Sequence, residues 1–110
     1  MNWIPLTEEL QVAEIKQKSN TQPQVIFKHS TRCSISSVAK NRLEKNTPPS
    51  NAVFYFLDLI KFRNISDMVA SVFSVHHESP QLLIIKNGEC VYEETHSGIN
   101  MHDIHAQTAA

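Results

Sequence analysis

The sequence predicts an α/β fold in which a central mixed β-sheet is flanked by helices. Short apolar runs of strand length alternate with segments whose apolar residues recur at helical spacing. The last two predicted strands are joined by Asn87-Gly88, a strong hairpin signal. Parallel strands need crossover helices between them, whereas a hairpin adds an antiparallel strand. A chain of 110 residues suits one domain, so we expect a single domain over residues 1–110.

The first predicted elements are a short edge strand and a helix. Residues 4–6 contain Pro5, which excludes a central strand because proline cannot donate to the ladder. Thr7 is the predicted N-cap of a helix over residues 8–18, which has glutamates in its first turn and lysines near its end. The residues that we expect this helix to bury are Leu10, Ala13 and Ile15.

A buried strand and a second helix come next. Residues 25–28 form the first central strand, and residues 33–45 show a helical pattern. The strand ends at Lys28, whose side chain is expected to extend along the strand end to solvent. The predicted apolar face of the helix is Ile35, Val38, Ala39 and Leu43.

The second half of the chain continues the alternation. Residues 52–58 predict another buried strand because they are rich in β-forming aromatic residues. A third helix follows, and its predicted apolar face is Ile65, Val69, Val72 and Phe73. Residues 81–86 and 89–96 form the hairpin strands, and residues 101–107 form a short last helix. From residue 25 onward the order is therefore β-α-β-α-β-β-α.

A candidate reactive cysteine lies at the first strand–helix turn, in the stretch KHSTRCSIS at residues 28–36. The N–H groups and dipole at a helix N-terminus favour an anion, so they favour the reactive thiolate of Cys33. Arg32 adds a permanent positive charge beside it. We expect Pro80, which precedes an apolar strand, to lie opposite Cys33. The alternative is that Cys33 is an inert, buried thiol, and its polar neighbours argue against that.

Composition excludes several function classes. The formal net charge of −1 offers no basic surface for nucleic acid, so no nucleic-acid partner is expected. No apolar run approaches the roughly 20 residues needed to span a membrane. The first residues lack the basic start and apolar core of a signal peptide. We therefore expect no membrane partner. Two cysteines do not make a disulfide scaffold, so we expect a reduced, cytoplasmic setting.

Two stretches carry a resemblance to a known family. KHSTRCSIS at residues 28–36 and VHHESPQLLIIKNGE at residues 75–89 resemble the monothiol bacilliredoxins, small thioredoxin-like proteins linked to the low-molecular-weight thiol bacillithiol. The order of elements is also similar to the thioredoxin fold, with a cysteine at the first strand–helix turn and a proline before a later core strand. The resemblance implies a thioredoxin-like fold and the activity of a thiol–disulfide oxidoreductase.

The resemblance also implies roles for individual residues. Cys33 matches the reactive cysteine of the family, Ser36 matches the serine of its C-x-x-S motif, and Pro80 matches the cis-proline of the thioredoxin fold. Ser34 stands where the family commonly has proline, and it restores an N–H donor next to the thiolate. The predicted catalytic residues are Cys33 and Ser36. The predicted substrate-binding residues are Arg32, Ser34, Ser79 and Pro80.

The implied reaction is the transfer of bacillithiol from a client protein to Cys33. Ser36 cannot form a disulfide, so an external thiol must regenerate Cys33, and we expect the Ser36 hydroxyl to donate a hydrogen bond to the Cys33 sulfur. Cys90 is predicted at the far end of its strand, beyond disulfide range. The expected partners are bacillithiolated client proteins and bacillithiol as co-substrate, with no tightly bound cofactor.

Two other function classes stay open. Monothiol glutaredoxins also pair a cysteine with serine at the fourth position, and some carry an iron–sulfur cluster, but their intervening Gly-Phe is replaced here by Ser34-Ile35. A non-catalytic interaction module with the same fold is the second alternative. The six histidines form no standard zinc spacing with the cysteines, so no metal site is predicted. His29 and His77 fall inside the matching stretches and are candidates for structural, substrate-binding or acid–base roles.

Overall fold

A computed structural model describes residues 1–109, and over that range it has the order β-α-β-α-β-α-β-β-α. The strands are β1 (Trp3–Pro5), β2 (Gln24–His29), β3 (Val53–Asp58), β4 (Gln81–Lys86) and β5 (Glu89–Thr95). The helices are α1 (Glu9–Lys18), α2 (Ser34–Glu44), α3 (Arg63–Val72) and α4 (Met101–Thr108), with a short 3₁₀ turn at His96–Gly98. None of these described helices is both long and apolar enough to cross a membrane.

The five strands form one mixed sheet in the order β1-β3-β2-β4-β5. β1, β3 and β2 pair in parallel, whereas β4 pairs antiparallel with both β2 and β5. This confirms the predicted α/β class with a mixed sheet. Lys28 near the end of β2 lies opposite Gln81 at the start of β4. The segments that follow β2 and precede β4 therefore leave the sheet at the same edge.

The sheet is buried on both faces because helices cover each side. On one face, β2 and β4 pack against α1 and α3 in a cluster that includes Ile26 and Leu83. On the other face, α2 and α4 cover a cluster that includes Phe27 and Ile84. Since successive strand residues point to opposite faces, Lys28 faces the α3 side and His29 faces α2. This alternation separates the two polar residues at the end of β2.

The start and buried face of α1 differ from the prediction. Glu8, and not Thr7, is the N-cap, and it forms a capping box in which the Gln11 side chain reaches back to the cap. The buried apolar residues are Val12 and Ile15. The prediction that Leu10 and Ala13 are buried is wrong, because Leu10 is 69% exposed and Ala13 is exposed as well. Each residue turns a helix by about 100°, so neither shares the narrow stripe that contacts the sheet.

The predicted faces of α2 and α3 are also only partly correct. In α2 the buried residues are Ser36, Ala39 and Leu43, while Ile35 and Val38 are 55% and 58% exposed. In α3 the predicted Val72 is 38% exposed, whereas the other three predicted residues are buried. A buried face of α2 that is predicted from apolar residues alone cannot include a serine. Ser36 is inside because its hydroxyl finds hydrogen-bonding partners there.

Candidate active site

Cys33 is the N-cap of α2, with an extended backbone of φ −109° and ψ 120°. Its N–H donates to the carbonyl oxygen of Ser30 at 3.1 Å, and its own carbonyl accepts from the N–H of Ser37 at 3.1 Å. The thiol is free and half-buried. Cys33 therefore lies where the sequence predicts, at the N-terminal end of α2, where backbone N–H groups have no partner within the helix. Its neighbours Arg32 and Ser34 are both exposed, so a substrate can reach them.

The hydroxyl of Ser36 is directed away from the predicted partner. Ser36 is fully buried, and its Oγ lies 2.6 Å from Nδ1 of His29. The same Oγ accepts a hydrogen bond from the backbone N–H of Ser30 at 3.1 Å. The expected hydrogen bond from Ser36 to the Cys33 sulfur is therefore replaced by contacts with the turn and with His29. The reason is geometric, because the buried stripe of α2 faces the sheet and meets the end of β2.

His29 is the member of this group whose role the sequence left open. Its side chain is buried, with a residual exposure of 5%. The ring stacks on Phe27 with centroids 5.9 Å apart and lies 5.3 Å from the ring of Phe56. Burial lowers the pKa of His29, the Lys40 ammonium lowers it further, and the Asp58 carboxylate opposes the shift. The sequence contains a signal for the position of His29, because a residue at the end of β2 can face the first turn of α2. This signal can be used only when it is known which residues of β2 point to each face of the sheet.

Ser79 and Pro80 lie at the same edge of the sheet as Cys33. Pro80 directly precedes β4, is buried, and follows Ser79 through a cis peptide bond, as the resemblance implies. The carbonyl oxygen of Pro80 accepts a hydrogen bond from the N–H of His96 at 3.3 Å. The loop after β2, the loop before β4 and the 3₁₀ turn thus border one region. Ser79 is half-buried, and within residues 1–109 its hydroxyl has no hydrogen-bond partner.

Lys28 is fully buried and does not extend to solvent as predicted. Its Nζ donates to the carbonyl oxygen of Ser66 at 3.3 Å and lies 3.2 Å from Nδ1 of His77. Burial lowers the pKa of Lys28 to about 8, although the Asp67 carboxylate acts in the opposite direction. Burial also lowers the pKa of His77, and the Lys28 ammonium adds to that effect. Lys28 thereby ties the loop that contains His77 to β2.

Cys90 lies far from the edge that holds Cys33. It is half-buried in β5 opposite Ile85, whereas Gln81 pairs with Thr95 at the other end of the hairpin. Four residues of strand span about 13 Å, which exceeds the Cα separation of a disulfide. Burial raises the pKa of the Cys90 thiol. Within the described part of the chain, neither cysteine belongs to a group of three or more side chains able to hold a metal ion.

Comparison with known proteins finds the same fold and one matching family. The family model described as monothiol bacilliredoxin BrxC matches residues 4–104. A solved structure described as a candidate oxidoreductase with a thioredoxin fold has a TM-score of 0.80 and 30% identity, and the match covers 96% of this chain and 91% of that one. The Malassezia sympodialis thioredoxin Mala s 13 has a TM-score of 0.76 and 18% identity, with 99% and 92% covered.

The oxidised thioredoxin from Plasmodium falciparum is similar at a TM-score of 0.75 and 14% identity, with 98% of this chain and 100% of that one covered. Because the identity is this low, the similarity to the two thioredoxins supports the fold alone. Together with the family match they confirm that the α/β sheet described above is a thioredoxin-like fold.

Proposed function

This chain belongs to the monothiol bacilliredoxin family, and on that premise we propose that it removes bacillithiol from protein mixed disulfides by thiol–disulfide exchange at Cys33. The observation that carries the proposal is the position of Cys33. It is a half-buried thiol at the N-cap of α2, and Pro80 leaves the sheet at the same edge. A helix end that favours a thiolate, together with a neighbouring loop able to receive a client, suits this exchange reaction.

The first step balances as an exchange between a thiolate and a disulfide. The Cys33 thiolate attacks the bacillithiol sulfur of the client's mixed disulfide, and a new bond forms between Cys33 and bacillithiol. The old disulfide bond breaks, and the client cysteine leaves as a thiolate that takes a proton from water. The client is reduced, and Cys33 now carries the oxidised equivalent as a mixed disulfide.

The second step needs a thiol from outside the chain. Ser36 occupies the position of a resolving cysteine but cannot form a disulfide, and Cys90 is held at the opposite end of the hairpin. An external low-molecular-weight thiol, such as a second bacillithiol, therefore attacks the adduct. Cys33 leaves as a thiolate, and the two small thiols depart as a disulfide. Bacillithiol is accordingly a co-substrate rather than a bound cofactor.

The residues around Cys33 receive supporting roles in this proposal. Arg32 is exposed and supplies positive charge near the thiolate. Ser34 is the first residue of α2, so its N–H is one of the free donors at the helix end. The backbone of Ser79, beside Pro80, offers an edge to which an extended client segment can hydrogen-bond.

Transfer from a modified client tests the proposal directly. The protein is mixed with a client that carries bacillithiol on a single cysteine, and the intact masses of both proteins are followed over time. We expect the bacillithiol mass to leave the client and appear on this chain. The Cys33→Ser variant should accept none, because an un-ionised hydroxyl is a poor nucleophile. Cys90→Ser is the matched control and should transfer like the wild type. Transfer that persists in Cys33→Ser would refute the proposal.

A further inference from the structure

The β4 entry loop, residues 76–79, is held in place by side chains and not by its own backbone. Within the described residues 1–109, no backbone–backbone hydrogen bond involves this loop. We propose that Lys28 is a positioning residue, which holds His77 and thereby orders the Ser79 backbone for hydrogen bonding to an extended client segment. The inference deepens the proposed function and rests on it, because it gives a part in client docking to a residue that faces α3.

Two buried side chains on neighbouring strands reach the β4 entry loop. Lys28 of β2 and Gln81 of β4 lie opposite each other in the antiparallel ladder, and both are fully buried. Their side chains therefore leave the sheet on the same face. Gln81 Nε2 donates to the carbonyl oxygen of His76 at 2.9 Å, and Lys28 Nζ lies 3.2 Å from Nδ1 of His77. The loop is thus attached to the sheet at two consecutive residues.

Lys28 is the donor in its contact with His77. Burial lowers the pKa of Lys28 only to about 8, so at neutral pH the side chain is mostly an ammonium. An ammonium has three protons and no lone pair, so the Nδ1 atom that it meets must accept. Lys28 also donates to the carbonyl oxygen of Ser66 in α3 at 3.3 Å, and the Ser66 hydroxyl lies 3.3 Å from the same Nδ1. Lys28 therefore joins the loop, β2 and α3 at one point.

Folding stability does not explain why an ammonium occupies this position. A buried charge costs folding free energy, and the lowered pKa of Lys28 reflects that cost. The contact provides a fixed loop whose main chain is open, because residues 77–79 make no main-chain hydrogen bond to any other described residue. An extended client segment binds by pairing with such groups, and a loop that is already ordered loses less conformational entropy on binding.

Two disulfides that give the same product test the inference, with Cys90→Ser in every protein. One is a client peptide that carries bacillithiol on an internal cysteine, and the other is oxidised bacillithiol, which has no peptide backbone. In both reactions the Cys33 thiolate attacks a bacillithiol sulfur and forms the same adduct, while the peptide thiolate or a second bacillithiol thiolate leaves. The difference in leaving group is the same for every variant. Changes in the ratio of the two rate constants therefore measure what peptide docking contributes.

Lys28→Met and His77→Ala should each lower this ratio by about tenfold, the effect of losing one hydrogen bond to a charged group. The double variant should lower it no further, because both changes remove the same contact. His77→Asn should restore most of the ratio, since the amide oxygen stands near the position of Nδ1 and accepts from Lys28. The controls Lys18→Met and His102→Ala remove exposed side chains of α1 and α4, and they should leave the ratio unchanged.

A merely structural role for Lys28 predicts equal changes with both disulfides, whereas the inference predicts an unchanged rate with oxidised bacillithiol. A constant ratio in Lys28→Met and His77→Ala, or rates that fall equally with both disulfides, would overturn the inference and leave the proposed function standing. If Lys28→Met does not fold by circular dichroism, the comparison of His77→Ala with His77→Asn decides. A wild type that forms the adduct with neither disulfide would overturn both the inference and the proposed function.

Discussion

Replacing the buried Lys28 with methionine should stabilise the protein at neutral pH. It should also make the free energy of unfolding vary less with pH in the alkaline range. Lys28 is fully enclosed on the α3 side of the sheet, with Ser66 and His77 as its hydrogen-bonding partners. Methionine has a similar length and no charge, so it can occupy the same space. Exchange of a buried charge for a well-packed apolar side chain is often stabilising.

The magnitude follows from the change in the pKa of Lys28. Burial lowers that pKa from 10.5 to about 8 in the folded protein. One pKa unit is worth about 1.4 kcal/mol, so the buried ammonium costs the folded state about 3 kcal/mol below pH 8. Between about pH 8 and about pH 10.5 the unfolded chain binds more protons than the folded protein does. The free energy of unfolding of the wild type therefore rises with pH over this range. The lost hydrogen bonds offset part of the gain, which leaves about 1–2 kcal/mol near pH 7.

Urea unfolding under reducing conditions at about pH 7 and about pH 9.5 measures the effect. The advantage of Lys28→Met over the wild type should shrink by about 2 kcal/mol at the higher pH. Lys18→Met, at an exposed position of α1, is the control and should give equal differences at both pH values. A Lys28→Met difference that is also equal at both pH values would show that Lys28 is not held in a low-pKa environment.

Two further predictions concern local backbone features. Asn100→Ala should reduce the free energy of unfolding by about 1 kcal/mol, because Asn100 is the N-cap of α4 and its side chain accepts from the N–H of Asp103. Asn100→Ser keeps an N-cap acceptor and adds no negative charge beside Asp103 Oδ2, to which Asn100 Nδ2 donates at 2.9 Å, so it should lose less. Gly88→Ala should cost about 1–2 kcal/mol because the φ of 78° is unfavourable for a side chain, although an added Cβ would make only ordinary contacts with the Lys16 side chain, and Gly88→Asn should lose less. Urea unfolding checks both, and a loss that is the same in each control variant would contradict the assigned cause.

The hairpin shows which parts of the fold the sequence determines locally. The predicted bounds of the strand over residues 81–86 match those of β4, because an apolar run is followed directly by turn residues. Asn87 and Gly88 both have positive φ, at 53° and 78°, which matches the two-residue turn that this pair favours. Cys33 at the start of α2 was equally predictable, since a buried strand meets a helical pattern there.

The polar residues inside the protein could not be placed from sequence, because their partners come from distant segments. Lys28 is separated from Ser66 by 38 positions and from His77 by 49. Ser36 is buried because His29 and the turn satisfy its hydroxyl, and the sequence alone suggested Cys33 as its partner. A lysine usually reaches solvent, and a serine usually lies outside an apolar stripe. Both tendencies fail where tertiary partners supply the missing hydrogen bonds.

The most direct test of the central claim is the fate of the adduct formed with oxidised bacillithiol. The reduced protein is exposed to it, the small molecules are removed, and the modified peptide is identified by mass spectrometry. The account predicts one bacillithiol on Cys33, which stays bound until an external thiol is added, in the wild type and in Cys90→Ser alike. An adduct on Cys90, or its replacement by a Cys33–Cys90 disulfide without added thiol, would contradict the account.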